Sequence, residues 1–288
     1  MIAESAAGAP HILIVGYGDL GQKFGQLLIE SGLQITGLRR SEHPPSSIRL
    51  ISGDVTHPES LGGLQEIAPD ILVYCVAATQ QSDDNYRAHY VDGLRHVLAT
   101  LPKASRLRHV FFVSSTRVYG QETGQPLTEL DAAIPTDFGG IRLLQAEQVL
   151  DTLPCGHSAL RLSGIYGPGR NRMMTLARHP ENWPQQNNWS NRIHRDDAAA
   201  FIVFLIRQVL QGGTIESCYI VTDSQPAPQH EVLHWLAEQM GTATDETRMP
   251  APHGGKRLSN ARMLETGFRL NYPDYQTGYA ALLQETPQ

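Results

Sequence analysis

The sequence has few of the features that mark secreted, membrane or metal-binding proteins. Only three cysteines occur in 288 residues, an odd number without the spacing of a metal site. The longest apolar run, 198–206, is far too short to cross a membrane. Residues 1–10 lack the basic and apolar regions of a signal peptide, and we expect them to form a flexible tail. The sequence therefore predicts a soluble, cytoplasmic protein.

The charge balance excludes a second group of functions. The formal net charge is −6, which argues against nucleic acid or an anionic membrane as the main partner. The apolar content of 41% is enough for a sizeable core, in one large domain or two. These features leave a globular protein whose partner is a small molecule.

Strand and helix signals alternate through the first half of the chain. Strands are predicted at 12–16, 33–38, 48–52, 70–77, 108–114 and 157–163, and helices at 19–31, 58–67, 84–101 and 140–152. Near-continuous apolar strands such as 71–76 are expected where helices cover both faces of a parallel sheet. The pattern predicts an α/β fold with a doubly wound parallel sheet, the Rossmann arrangement.

A glycine-rich turn joins the first predicted strand to the first helix. Its sequence is Gly16-Tyr17-Gly18-Asp19-Leu20-Gly21. Gly16 permits a sharp turn, Gly18 removes a side chain where a pyrophosphate approaches the backbone, and Gly21 lets helix and strand pack closely. The helix N-terminus then faces the diphosphate. Because the turn lies between a strand and a helix, we predict a dinucleotide site that includes Asp19 and Leu20 rather than an incidental glycine-rich turn.

The end of the second predicted strand indicates which dinucleotide is bound. An acidic residue about 20 positions after the glycines would bind the ribose hydroxyls of NAD. The sequence has Arg39 and Arg40 there, and a guanidinium donates bidentately to a phosphate. NADP is therefore favoured. NAD stays an alternative because Glu42 is close enough to accept from a hydroxyl, and the two arginines also fit a solvated strand end.

The pattern changes after residue 164. Segment 165–195 shows no regular period, and helices are then predicted at 196–210, 228–240, 259–266 and 274–284, with a strand at 217–222. We predict a dinucleotide-binding Rossmann domain of residues 11–164 plus about 196–223. Residues 165–195 plus 224–288 are predicted to form a smaller substrate-binding lobe over the carboxyl ends of the strands.

A metal-binding motif competes with this interpretation. His230-Glu231-Val232-Leu233-His234 fits the His-Glu-x-x-His pattern, which on a helix can hold zinc. Apolar residues recur here at the spacing of a core-facing helix, with the two histidines on its flank. No third ligand is identifiable, so we predict an ordinary packed helix and no metal.

Several further motifs together carry a resemblance to a known family. They are Gly53-Asp54-Val55-Thr56, Val76-Ala77-Ala78, Val113-Ser114-Ser115-Thr116-Arg117-Val118-Tyr119-Gly120, Leu160-Arg161-Leu162-Ser163-Gly164-Ile165-Tyr166-Gly167-Pro168-Gly169 and Arg192-Ile193-His194-Arg195-Asp196-Asp197. With the glycine turn, they make about 11–285 resemble the extended short-chain dehydrogenase/reductases, specifically the NAD-dependent epimerase/dehydratase family that acts on nucleotide sugars. The resemblance implies an NAD(P)-dependent enzyme.

The resemblance also implies roles for residues at the strand ends. Asp54 and Val55 would border the adenine, with Asp54 accepting a hydrogen bond from its amino group. Ala77, Ala78 and Ser114 would line the cofactor.

The family's catalytic residues are only partly present. Ser115 corresponds to the family's Ser/Thr, whose hydroxyl binds the reacting oxygen of the substrate, although such residues also serve plain loop hydrogen bonding. The family's Tyr and the Lys four residues later correspond to Phe138 and Arg142. The chain contains no Tyr-x-x-x-Lys at all, since its lysines are Lys23, Lys103 and Lys256. Arg142 keeps a positive charge for the ribose but is a poor proton shuttle.

Other residues supply candidates for the missing proton donor and for the substrate. Tyr119 and Tyr166 are the nearest replacement acids. Arg192, and on weaker grounds Arg170, suit a substrate diphosphate, while Trp183 fits either base stacking or a small core. Two hypotheses follow. The first is an NADP-dependent oxidoreductase or epimerase on a nucleotide sugar or related carbonyl compound, with a homodimer possible. The second is an inactive NADP(H)-binding sensor.

Overall fold

The computed structural model describes residues 9–41, 48–102, 106–244 and 249–285. The strands are β1 (His11–Val15), β2 (Gln34–Arg39), β3 (Arg49–Ser52), β4 (Ile71–Tyr74), β5 (His109–Ser115), β6 (Gly156–Leu162), β7 (Gly164–Tyr166), β8 (Asn187–Ser190), β9 (Arg192–His194), β10 (Cys218–Val221), β11 (Ala227–Pro228) and β12 (Pro252–Gly255). The α-helices are α1 (Asp19–Ile29), α2 (Asp83–Tyr86), α3 (Gly93–Thr100), α4 (Phe138–Leu150), α5 (Arg172–Ala177), α6 (Arg195–Leu210), α7 (Gln229–Gln239), α8 (Ala261–Glu265) and α9 (Tyr275–Glu285).

A parallel sheet forms the centre of the fold. Its strand order across the described residues is β10-β6-β5-β4-β1-β2-β3. Every residue of β1 and β4 is buried, as expected for strands covered by helices on both faces. The chain goes from β1 outward to β2 and β3 and then returns to β4 on the other side of β1. This reversal confirms the doubly wound prediction, and it lies where such sheets bind ligands.

Two predicted helices take a different form. Segment 58–67 contains a 3-10 helix over Pro58–Leu64, which includes the poor helix formers Gly62 and Gly63. Segment 84–101 is α-helical at both ends but π-helical over Arg87–Asp92. Within this turn the His89 carbonyl accepts a hydrogen bond from the buried Tyr74 hydroxyl. A side chain that competes for a helix carbonyl is a physical reason for a local change of pitch.

The chain divides into two compact units. The first comprises residues 1–118, 137–160 and 199–218, and the second 119–136, 161–198 and 219–288. The second unit corrects one prediction, because segment 165–195 contains β7, α5, β8 and β9 instead of irregular chain. These strands are three or four residues long, too short to show a period in the sequence. The later helices and the strand after residue 217 are confirmed.

The described part of the chain contains no helix with the length and apolarity needed to span a bilayer.

Candidate dinucleotide site

The first turn of the site leaves β1 at Gly16. Its φ angle is 93°, a conformation that residues with a side chain rarely adopt. A Cβ atom at this position would lie 2.5 Å from the Cys75 carbonyl oxygen, which follows β4. The amide groups of Gly16 and Tyr17 both donate to the Leu38 carbonyl, at 3.0 and 2.9 Å. Gly16 therefore lets the turn pack between the ends of the two strands beside β1.

The second and third glycines shape the start of α1. Gly18 is the N-cap residue of α1, and no side chain caps the N-terminus of this helix with a hydrogen bond. A Cβ atom on Gly18 would meet no atom within 4 Å, so open space adjoins the backbone here. A Cβ atom on Gly21 would lie 2.6 Å from the Gly16 carbonyl oxygen. Tight packing at Gly16 and Gly21 and open space at Gly18 form a cradle that fits a pyrophosphate at a helix N-terminus.

The neighbouring residues of the turn differ in exposure. Leu20 is buried in the core, whereas Asp19 is exposed in the first turn of α1. The backbone of these residues belongs to the helix start, where N–H groups lack partners within the helix.

The arginines at the end of β2 lie in the first unit with this turn. Arg39 is partly exposed, and its Nε and Nη2 donate to Ser41 Oγ at 3.1 and 2.7 Å. Arg40 is exposed. The alternative acceptor, Glu42, lies outside the described residues.

Asp54 is already engaged by its own loop. Its Oδ1 accepts from the Thr56 amide at 2.9 Å and from Thr56 Oγ1 at 2.8 Å. Burial alone would raise the pKa of this carboxyl, but the Thr56 hydrogen bonds and the charge of Arg40 hold the pKa below its ordinary value. Val55 is buried, and its carbonyl accepts a hydrogen bond from His96 Nδ1 at 2.8 Å. The other Asp54 oxygen, Oδ2, lies 3.9 Å from His57 Nδ1.

The ends of β4 and β5 hold the other predicted cofactor residues. Ala77 is exposed, and the Ala78 amide donates to the Tyr90 hydroxyl at 3.3 Å. Ser114 is buried and its hydroxyl donates to Glu147 at 2.5 Å, a carboxylate partner that sequence analysis did not identify. Ser115 is partly exposed, and its Oγ accepts from the Arg117 amide at 3.2 Å. Of the two serines, only Ser115 presents a hydroxyl outside the core.

Arg117 organises the start of α4, a role that sequence analysis missed. Its guanidinium lies 5.1 Å from the Tyr86 ring centre and 5.0 Å from that of Phe138. Its Nε donates to both oxygens of Asp137, and its Nη1 donates to the Tyr86 hydroxyl at 2.8 Å. A Cβ atom on Gly139 would come within 2.4 Å of this guanidinium. The Phe138 ring therefore packs against the Arg117 guanidinium of the same chain, and no local sequence pattern indicates that contact.

Arg142 is held by a carboxylate on another helix. Its Nε and Nη2 donate to the two oxygens of Asp83 at 2.7 and 2.6 Å. Gln145 accepts a third hydrogen bond, from Nη1 at 2.9 Å. The hydrogen bonds from Arg142 lower the pKa of Asp83. Such a bidentate pair fixes the direction of the guanidinium.

In the second unit, both candidate tyrosines are buried. Tyr119 is 0% exposed, its hydroxyl donates to the Thr128 carbonyl at 3.1 Å, and it accepts from Arg161 at 2.6 Å. Tyr166 is 4% exposed, and burial raises the pKa of its phenol. Neither environment resembles that of an accessible general acid.

The predicted substrate arginines of this unit differ from each other. Arg170 is exposed, whereas Arg192 is 5% exposed and donates to Ser190 at 2.6 Å. Its guanidinium lies 5.4 Å from the centre of the Tyr275 ring.

The His-Glu-x-x-His segment packs within the second unit. Both histidines, predicted on the flank of this helix, are buried. His230 donates from Nε2 to the Pro184 carbonyl at 2.7 Å, and His234 Nδ1 lies 3.2 Å from the Thr244 hydroxyl. The Trp183 ring packs edge-to-face against both imidazoles, so this tryptophan serves a small core. Among the described residues no group of three possible ligands could hold a metal.

The sheet topology and the glycine turn define a dinucleotide-binding α/β protein of the Rossmann type. A model of the NAD dependent epimerase/dehydratase family matches residues 12–218. The chain belongs to this family. A comparison with curated proteins gives no significant match.

Solved structures agree with this assignment. A protein from Methylobacillus flagellatus, assigned to the NAD-dependent epimerases/dehydratases, is 47% identical, with 96% of this chain and 99% of that chain covered and a TM-score of 0.88. Bordetella bronchiseptica WbmG in complex with NAD and UDP is 18% identical, with 96% of each chain covered and a TM-score of 0.78. The UDP-glucose 4-epimerase of Thermus thermophilus, in complex with NAD, is 17% identical, with 93% and 96% covered and a TM-score of 0.73. At these lower identities the likeness shows the fold alone.

Proposed function

We propose that the first unit binds NADP(H) in preference to NAD(H), and that the protein acts on a nucleotide sugar or a related carbonyl compound. The observation that carries the cofactor assignment is the cradle at Gly16, Gly18 and Gly21, where only the middle glycine adjoins open space. Arg39 and Arg40 support the preference for a 2′-phosphate, because they lie at the end of the strand that follows this cradle.

The substrate class rests on the family and on its named members. WbmG was crystallised with UDP, and the Thermus thermophilus protein is named a UDP-glucose 4-epimerase. When bound, the nicotinamide would accept or return a hydride at a substrate carbon. Ser115 is the hydroxyl that we propose to orient the reacting oxygen, because its Oγ already accepts one backbone N–H and keeps its own proton for donation.

The proposed active site works without the Tyr and Lys of the family. Phe138 and Arg142 stand at those two positions, and a phenyl ring has no proton to exchange. We propose that Arg142 is a structural cation rather than a ribose ligand, because Asp83 holds its guanidinium with two hydrogen bonds. The second hypothesis, a non-catalytic NADP(H) sensor, draws its support from this same pair of substitutions.

Cofactor preference is tested by binding. We expect NADPH to bind at least tenfold more tightly than NADH in fluorescence titrations, equivalent to about 1.4 kcal/mol. Replacing Arg39 and Arg40 by Ala should remove most of the difference, because the 2′-phosphate loses its charged donors. Arg49→Ala is the matched control, since Arg49 is exposed on β3 and pairs with Glu66. Equal affinities in the unchanged protein would contradict the NADP assignment.

Catalysis is tested by Ser115→Ala. If the protein is an enzyme, this variant should lower kcat on a UDP-sugar substrate and leave NADPH affinity within about twofold, as expected when a transition-state contact is lost. Tyr119→Phe and Tyr166→Phe, measured alongside, test whether either buried phenol supplies the proton. A protein that binds NADPH but turns over no UDP-sugar favours the sensor.

A further inference from the structure

Tyr90 is a partly exposed tyrosine of the first unit that sequence analysis did not single out. Its hydroxyl accepts a hydrogen bond from the Ala78 amide at 3.3 Å. Among the residues that the structure describes, none accepts the proton of this hydroxyl. A phenol both donates and accepts, so Tyr90 keeps its proton for a ligand. Tyr119 and Tyr166, by contrast, are buried.

The hydrogen bond to Ala78 places this phenol at the edge of the sheet that carries the glycine cradle. Strands β4 and β5 are parallel neighbours, so their carboxyl ends meet at the same edge. Ala78 follows β4, and Ser115 ends β5. The Gly16 turn packs against the carbonyl of Cys75, the residue directly after β4. Tyr90 therefore adjoins the edge where sheets of this kind bind ligands.

The π-helical turn between α2 and α3 holds Tyr90 in this position. The hydroxyl of the buried Tyr74 donates to the carbonyl of His89, the residue before Tyr90. The Tyr90 ring lies 5.2 Å from the Tyr86 ring, between centroids, and meets Phe112 edge-to-face at 6.4 Å. Turns of this pitch inside helices occur frequently at functional sites. Backbone and ring contacts together fix the phenol.

The surroundings of Tyr90 suit a group that gives up a proton and later regains it. Burial raises the pKa of the phenol, and the neighbouring Tyr86 and Cys75 raise it further. The hydrogen bond from the Ala78 amide and the charge of Arg117 act in the opposite direction. The phenol is therefore protonated near neutral pH. Once its proton has left, the amide and the guanidinium stabilise the phenolate, as a general acid requires.

We propose that Tyr90 is the catalytic acid of this protein and takes over the proton transfer that Phe138 cannot perform. The inference rests on the proposed function and deepens it. In the reducing direction, the carbonyl carbon of the substrate gains a hydride from NADPH, and the electron pair of the C=O bond moves to the oxygen. This oxygen, held by Ser115, takes the proton of Tyr90 and becomes an alcohol. The phenolate regains a proton from water.

The first test measures NADPH oxidation by UDP-sugars that carry a keto group. Tyr90→Phe keeps the ring and its packing and removes only the hydroxyl. This variant should lower kcat by about a hundredfold or more and leave KM and NADPH affinity within about twofold. Tyr219→Phe, at a buried tyrosine on β10, is the matched control and should keep the wild-type kcat.

The second test needs no turnover. Phenolate absorbance is titrated at alkaline pH with either NADP⁺ or NADPH bound, for the wild-type protein and for Tyr90→Phe. The nicotinamide ring is positively charged in NADP⁺ and neutral in NADPH. If Tyr90 faces this ring, one phenol of the wild-type protein should ionise about one pH unit lower with NADP⁺ than with NADPH, because a nearby positive charge favours the phenolate. Tyr90→Phe should lack this difference, and Tyr219→Phe should keep it.

The outcomes separate this inference from the proposed function. A Tyr90→Phe variant that keeps kcat within about twofold of the wild-type value overturns the inference and leaves the proposed enzyme standing. Equal phenolate titrations with NADP⁺ and NADPH also overturn it, even when both cofactors bind. A tenfold loss of NADPH affinity in Tyr90→Phe would make this residue a cofactor ligand instead of the acid. A wild-type protein that binds NADPH but reduces no keto sugar overturns the proposed enzyme, and the proton transfer with it.

Discussion

Single Gly→Ala changes in the glycine turn should distinguish an effect on folding from an effect on cofactor binding. Gly18→Ala adds a methyl where no atom lies within 4 Å, at a φ of −96° that alanine adopts readily. The variant should fold normally. Its methyl would nevertheless occupy the space that the pyrophosphate approaches, so the dinucleotide should bind at least tenfold more weakly, a loss of about 1.4 kcal/mol or more. Gly16→Ala should behave in the opposite way and damage the fold itself.

The structure gives the expected sizes of these effects. At Gly18 the loss of a favoured residue before the helix costs about 0.5–1 kcal/mol. At Gly16 the φ of 93° adds about 1–3 kcal/mol of backbone strain. The Cβ atom would also overlap the Cys75 carbonyl oxygen at 2.5 Å, and backbone atoms of the sheet cannot move aside. Gly32→Ala isolates the strain alone, because its φ is 76° and nothing lies within 4 Å, and should cost about 1–2 kcal/mol.

The assay is urea unfolding of the three variants combined with NADPH titration. Stability should decrease in the order Gly18→Ala, Gly32→Ala, Gly16→Ala. Affinity should fall in Gly18→Ala but not in folded Gly32→Ala. A Gly18→Ala variant that binds NADPH like the wild-type protein would refute the placement of the pyrophosphate at this turn.

Three further predictions concern other residues. Lowering the pH from 7 to 5 should reduce the free energy of unfolding by about 2 kcal/mol through the buried His109. Burial lowers the pKa of this imidazole from 6.5 to about 4, so in this pH range only the unfolded chain takes up the proton. His109→Gln should remove that part of the pH dependence in urea titrations, whereas His253→Gln, at an exposed site, should not. Asp197→Ala should lower the free energy of unfolding by about 3 kcal/mol, since the buried carboxylate accepts three hydrogen bonds from Asn271 and Tyr272. Arg142→Ala should leave NADPH affinity within about twofold in titrations, and a tenfold loss would show that Arg142 contacts the cofactor.

Much of the fold follows from local patterns in the sequence. The apolar run of β1, the glycine turn and α1 are adjacent in the chain, so propensity and spacing predict them together. The parallel sheet follows from buried strands that alternate with helices. Short strands escape such reasoning. Two-residue β11 and four-residue β12 exist because both pair with β8, across 37 or more residues of chain.

The site is less predictable because its partners are distant in sequence. Arg142 and Asp83 are 59 residues apart, and Ser114 and Glu147 are 33 apart. A charged residue in a sequence shows no direction, and only the fold selects its partner. The same holds for the buried histidines of α7, whose motif matches a zinc-binding pattern but whose neighbours provide a carbonyl, a hydroxyl and an indole ring.

Phe138 and Arg142, which we propose to occupy the positions of the family's Tyr and Lys, belong to two sets of contacts in the first unit. The Phe138 ring packs edge-to-face on Tyr86, and both rings flank the Arg117 guanidinium. Arg142 neutralises Asp83. Changing Phe138→Tyr and Arg142→Lys alone would keep Arg117 against the ring and replace a bidentate donor by a single ammonium group. A test of the proposed Tyr and Lys positions in this chain therefore needs changes at Arg117 and Asp83 as well, because those two side chains hold Phe138 and Arg142 in place.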